Sequence, residues 1–192
     1  SEAGEDHSPS DNNGVVLTNW YSLQNGNGFK APLSALTNSD VTWRIDASTM
    51  TTNNNWSISG SLEILERLGL KGTLKIETHE VTVTGTVLNN GQLIINGSGF
   101  LEIDGATYDA TLGTTVFTAG TGTGTLRLAS TANNFDGGFT TNDVGTVEYD
   151  GVAQDIVTLN YNNLKLTNAG DKTALAALDI DGNFELSTAA TF

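Results

Sequence analysis

GTVEYDG, residues 145–151, sets two apolar residues, Val147 and Tyr149, around one charge, with glycine at either end. The same phrase returns as NNLKL (162–166) and as GNFEL (182–186). It is preceded by GTLRL (124–128), GFLEI (99–103), GQLII (91–95) and GTLKI (72–76). From Leu126 the first apolar members, Val147, Leu164 and Phe184, follow at steps of 21, 17 and 20 residues, and Leu93 follows Leu74 by 19. Alternation of apolar and polar residues is the mark of a strand with one buried face. Its return about every twenty residues, between glycine-rich turns, is the mark of a solenoid in which each repeat is one coil. A single coil cannot bury its apolar pair, whereas stacked coils can. The pairs Leu126/Leu128, Val147/Tyr149, Leu164/Leu166 and Phe184/Leu186 are therefore expected to share one interior.

The middle residue of each phrase tests that register. Arg127, Glu148, Lys165 and Glu185 alternate in sign. Parallel strands stacked about 4.8 Å apart would put these four in one column, where opposite neighbours attract and like ones repel. Asparagines at the phrase borders, Asn133/Asn134 and Asn162/Asn163, suit left-handed turns and side-chain amide ladders.

Before the repeats the grammar differs. Residues 1–14 are polar and acidic and are expected to form a flexible tail. Residues 15–57 hold all three tryptophans, Trp20, Trp43 and Trp56, together with Pro32 and the alternating run VTWRID (41–46), but lack the later phrase. They are expected to form an N-terminal cap or leading subdomain. Residues 58–192 are then the solenoid. Within it, SLEILERLGL (61–70) has leucines at near-helical spacing, but it lacks a capping box and is interrupted by Gly69, so it reads as strand. The fold expected is all-β, a parallel β-helix with coils of about twenty residues. The chain stops directly after a strand-like phrase, and its opening SEAGEDHSPSDNNG reads as a processed N-terminus, so the solenoid is expected to continue beyond residue 192.

Composition narrows the function. The 192 residues include 22 acids against 8 Lys and Arg, for a formal net charge of −14. That balance disfavours nucleic acid and anionic membrane surfaces as partners, and leaves divalent cations, basic partners and neutral glycans compatible. With no cysteine there is no thiol nucleophile, disulfide or Cys-based metal site. No apolar run approaches the roughly 18 residues of a membrane-spanning helix.

Residues 121–192 add a resemblance. Val147–Tyr149, Gln154, Tyr161–Leu164 and the Asn-x-Gly-x-Lys-Thr turn at Asn168–Thr173 are similar to the repeat arrays of large secreted surface proteins of Bacteroidota. The run NWYSLQNGNGF (19–29) also resembles the N-terminal phrase of many such proteins. The resemblance implies a right-handed parallel β-helix, export by the type IX route, and a role in adhesion or an extracellular filament.

Candidate chemistry is sparse. Asp179, Asp181 and Asn183 have the alternate spacing of the first half of a calcium loop, with Glu185 as the available downstream acid. An ordinary strand followed by an Asp-Gly-Asn turn is the simpler reading. The threonine rows Thr82/Thr84/Thr86 and Thr121/Thr123/Thr125 could order water as ice-binding solenoids do, yet they also suit solvated strands. His79 stands between Thr78 and Glu80 without a nucleophile elbow, and His7 falls in the expected tail. Glu63, Glu66, Asp104 and Asp109 are acids of the kind a carbohydrate-active β-helix would pair in a groove. The expectation is a secreted, non-enzymatic surface segment: a rigid spacer of an adhesin or fibre with no cofactor, calcium being the one candidate. Its expected partners are copies of itself, further domains of a longer chain, or surface glycans. A polysaccharide lyase or glycosidase is the main alternative, and an ice-binding solenoid a weaker one.

Overall fold

The computed structural model describes residues 16–19, 35–36, 42–52, 54–119, 123–135, 138–141, 144–187 and 189–192. The tail expected at 1–14, Trp20 and Pro32 lie outside them. Every regular element among the described residues is a strand. The strands stack in parallel as a β-solenoid, and each coil passes through three of them.

One face stacks Val16–Asn19, Thr42–Asp46, Ser61–Arg67, Val87–Asn89, Thr107–Asp109 and Ala132–Asn134. The second stacks Thr49–Thr51, Thr73–Ile76, Gln92–Asn96, Thr114–Thr118 and Phe139–Thr140. The third is the longest, with eight strands: Ala35–Leu36, Trp56–Ile58, Glu80–Val83, Phe100–Ile103, Thr125–Leu128, Thr146–Tyr149, Asn163–Leu166 and Phe184–Leu186. Beyond Thr140 shorter ladders complete the coils: Gln154–Ile156 with Gly170–Ala174 and Ala190–Thr191, and Asn160–Tyr161 with Asp179–Ile180. The described strands of 42–57 pair in register with those that follow, Trp56 opposite Val81 and Ile58 opposite Val83.

The phrase keeps its register because a slip of one residue would turn every apolar side chain outward. Leu101 faces Leu126, Leu126 faces Val147, Val147 faces Leu164, and Leu164 faces Phe184. The second inward column runs Ile58, Val83, Ile103, Leu128, Tyr149, Leu166 and Leu186. Six of the eight residues expected inside, Leu126 through Leu166, are essentially sealed. Phe184 and Leu186 keep the register but stay 45% and 44% exposed, because no described strand packs beyond them.

Corners are where the coil must turn without a clash. Gly60, Gly85 and Gly105 stack there: a Cβ on Gly105 would lie 1.8 Å from the Gly85 carbonyl oxygen. The Asn-x-Gly-x-Lys turn works similarly. Asn168 has φ +60° and Gly170 φ +117°, and a side chain on Gly170 would meet the Val152 carbonyl at 1.6 Å. Lys172 then turns inward, buried, and its ammonium donates to the Gly151 carbonyl. Burial pulls its pKa below the usual lysine value, against the opposing pull of Asp150 and Asp171. Gln154 serves the preceding corner, donating to the Leu128 and Ser130 carbonyls at 2.7 Å each while accepting from the Gly151 amide.

The left-handed geometry expected at Asn133/Asn134 and Asn162/Asn163 falls elsewhere, on Ala47, Leu68 and Asn168. Those border asparagines act through their amides instead. Asn133 donates to the Ser130 carbonyl, and Asn163 donates to the Gly145 carbonyl and to Asn162. Residues 61–70 are strand, as expected, followed by a small hairpin. Glu66 pairs with Lys71 and Arg67 with Leu70 in antiparallel fashion around Leu68 and Gly69, both at positive φ.

Candidate functional site

Alternation points every second residue of the third face outward, so the stacked phrases print columns of side chains on its exterior. The central column is Glu102, Arg127, Glu148, Lys165, Glu185. Its signs alternate throughout, and the contacts follow. Arg127 Nη1 lies 3.2 Å from Glu102 Oε1, and Arg127 Nε lies 3.2 Å from Glu148 Oε2. Lys165 Nζ stands 3.9 Å from Glu148 Oε1 and 3.4 Å from Glu185 Oε1. Burial by itself would lower the Arg127 pKa, but Glu148 and Glu102 outweigh it and hold the guanidinium above its ordinary value. The Arg127 guanidinium also sits 4.9 Å from the centre of the Phe100 ring, a cation–π contact.

A second column begins at the end of each phrase. Backbone hydrogen bonds place Thr84, Asp104, Ala129, Asp150, Thr167 and Ser187 at equivalent positions. Thr167 Oγ1 donates to both Glu148 Oε1 and Asp150 Oδ1, tying the two columns together. Asp104 and Asp150 flank Ala129, two coils apart. Burial lifts the Asp104 carboxyl above its usual range, Glu102 and Asp150 add to the lift, and Arg127 opposes it. The face is thus net acidic: Glu80, Glu102, Asp104, Glu148, Asp150 and Glu185 outnumber Arg127 and Lys165.

The residues of the candidate calcium loop lie on the last coil. Asp179 and Ile180 pair with Asn160 and Tyr161, and Asp179, Asp181 and Asn183 are all exposed. The Asp181 and Gly182 amides donate to the Tyr161 and Asn162 carbonyls, and the Asn183 amide donates to Asn163 Oδ1. Glu185, the acid such a loop would recruit, turns to Lys165 instead. Among the described residues no three His, Asp or Glu side chains are grouped as metal ligands.

The other candidates are dispersed. Glu63 pairs with Arg44, and Asp109 accepts from the Thr111 amide and hydroxyl beside it. Glu66 is on the hairpin, and His79 sits in the corner before Glu80–Val83. Thr82 is on the third face, opposite Glu102. Thr121 lies outside the described residues, as does His7. What the sequence did not single out is the pairing of Asp104 with Asp150. Its signal was present in the equal offset of the two acids from their phrases, directly after Ile103 and Tyr149. No family model, curated protein or solved structure matches the chain.

Proposed function

We propose that this chain is a non-enzymatic structural segment of a secreted surface adhesin or extracellular fibre, a rigid spacer and assembly unit. The observation that carries the reading is the third face. Its eight strands run unbroken over a continuous apolar interior. Outside, its charges are spent on one another between coils rather than converging on a ligand. Such a ladder resists bending and stretching because each coil is tied to the next by backbone hydrogen bonds, packing and alternate charges. No helix among the described residues is long and apolar enough to cross a membrane. Pulling single molecules between their ends tests the reading: a spacer yields at high force in coil-sized steps. Extension at low force, in one step, would sink it.

Asp104 and Asp150 support the carbohydrate-active alternative. Two coil spacings separate the strands that carry them by about 9.6 Å, close to the separation of the two acids in inverting glycosidases. Release of reducing sugar ends from polysaccharide, abolished in Asp104→Asn, would establish that alternative. Absence of release from a broad glycan panel favours the spacer.

A further inference from the structure

The corner between the first and second faces carries an apolar ridge. Gly72, Gly91 and Gly113 stack there, the Gln92 amide donating to the Gly72 carbonyl and the Thr114 amide to the Gly91 carbonyl. The first of these three coils leaves the corner as the hairpin Glu66–Lys71, whose six residues are all exposed. The second turns flush, through Asn90 and Gly91 alone. The third turns through residues 110–113, where Asp109 accepts from the Thr111 amide and hydroxyl and Leu112 stands outside. Leu68 is 95% exposed, Leu70 62% and Leu112 72%. All three coils have a neighbouring coil on each side, so the ridge owes nothing to either end of the chain.

Leu68 runs against the chemistry of its own turn. Leu68 and Gly69 have φ of +53° and +78°. A tight hairpin with two positive φ values ordinarily takes Asn-Gly. A leucine there bears backbone strain and is held in water, two costs that an asparagine would remove. We propose that the ridge is the interface of a two-fold dimer, in which Leu68 and Leu70 of one copy pack on Leu112 of a second copy, and the reverse. The inference rests on the reading of the protein as an assembly unit, and names the surface and the partner.

Self-complementarity decides the partner. A two-fold axis through the Asn90–Gly91 corner, perpendicular to the stack, sets the hairpin coil of each copy opposite the Leu112 coil of the other. The two coils lie on either side of that corner by one spacing each, about 4.8 Å. The flush corner between them leaves room for both hairpins. Charge agrees: the hairpin brings Arg67 and Lys71 beside its leucines, and the opposing turn brings Asp109 beside Leu112. The overall charge of −14 opposes self-association in general. Around this corner, however, charge is balanced. Arg44, Arg67 and Lys75 pair with Glu63, Asp46 and Glu77, and Lys71 stands across the hairpin from Glu66. Two hairpins and two turns bury less than the roughly 1,200 Å² at which stable interfaces begin, so the dimer is weak in solution and gains strength when many copies are held together.

Sedimentation velocity over a concentration series reads the dimer in the 192-residue chain. Leu68→Asn is the decisive variant because it suits the turn. It should hold or raise the thermal midpoint while weakening the dimer by about tenfold or more. Leu112→Ser should weaken the dimer comparably, whereas Val152→Ser, at an exposed apolar residue of another corner, should leave it unchanged. The chain has no cysteine, so the contact can also be trapped. A mixture of Leu68→Cys and Leu112→Cys chains should form disulfide-linked dimers faster than either variant alone. A wild-type chain that stays monomeric up to millimolar concentration, a dimer indifferent to Leu68→Asn, or trapping no faster in the mixture than in the separate variants overturns the proposal. None of those results touches the spacer reading, which stands or falls on the mechanical and glycan measurements.

Discussion

Glu148 is outward by register yet buried, because Arg127, Lys165 and Thr167 close over it. Its replacement should therefore be felt more than that of its better-exposed partner. Glu148→Gln removes the negative charge between Arg127 and Lys165 and turns one of its acceptor oxygens into an amide donor, and is expected to cost about 1–3 kcal/mol in urea denaturation. Lys165→Gln, at a side chain about one-third exposed, should cost less than about 1 kcal/mol. Because the two changes move the net charge of −14 in opposite directions, a Glu148→Gln that stabilises beside a Lys165→Gln that destabilises would mean that the ladder acts by net charge rather than by position. Leu164 and Leu186 make the corresponding apolar contrast. Leu164→Ala should cost about 2–5 kcal/mol, and Leu186→Ala clearly less because its site is half open. Both the inward columns and the alternating signs were legible in the sequence. Period two fixes which residues share a face, and stacking in register fixes which meet.

Between phrases the elements are held by polar groups that point inward, and these were not legible. A lone Gln, Lys or Tyr reads the same in sequence whether its polar end reaches solvent or a neighbouring carbonyl. Tyr149 and Tyr161 show what decides. The Val157 amide donates to Tyr149 Oη at 3.2 Å, and the two phenols lie 3.0 Å apart. Tyr161 in turn donates to the Val157 carbonyl at 2.5 Å, which makes Tyr149 the donor between the phenols. The ring is closed, so both polar groups of Val157 are satisfied by side chains. Tyr161→Phe should cost about 1–3 kcal/mol by leaving the Val157 carbonyl and the Tyr149 hydroxyl without their partners. Because the two tyrosines act as a unit, the double change to Phe should cost less than the sum of the single ones. The hairpin at Glu66–Lys71 was hidden for another reason. Its leucines mimic a helical stripe, but Leu68 and Leu70 are exposed, so their spacing reports no buried face. Unequal coil lengths are likewise absorbed outside the third face, whose register continues through steps of 21, 17 and 20 residues.

The buried tyrosines also set how the whole molecule responds to alkali. Burial pushes Tyr108 and Tyr149 from an ordinary pKa of 10.0 up to about 12, and raises Tyr161 as well. A phenol that ionises less readily in the folded chain than in the unfolded one stabilises the fold fully below about pH 10. That contribution is lost as the pH climbs from there toward about 12. Phenolate absorbance should therefore show Tyr108, Tyr149 and Tyr161 ionising together with unfolding, above the pH at which an exposed tyrosine titrates. Independent titration of all three near pH 10 in a still-folded chain would contradict the sealed interior.

A solenoid has no contacts beyond neighbouring coils, so its stability is a sum of local terms, and opening should begin where a coil has only one neighbour. Phe184–Leu186 is paired on one edge, whereas Phe100–Ile103, Thr125–Leu128 and Thr146–Tyr149 are paired on both. Their inward residues are sealed as well. Native-state hydrogen exchange should therefore show protection highest across those three strands and falling toward Phe184–Leu186. The same experiment in a chelator separates two origins of rigidity. A calcium-built array would lose protection throughout when its ion is removed, because its turns are organised by the metal. Here the turns are organised by Gln154, Lys172 and stacked glycines, and the strands by apolar columns and alternating charge. Chelation should leave both the protection gradient and the thermal midpoint nearly unchanged. A collapse of protection beginning around Asp179–Asn183 would instead make that segment a calcium loop and the ladder a secondary support.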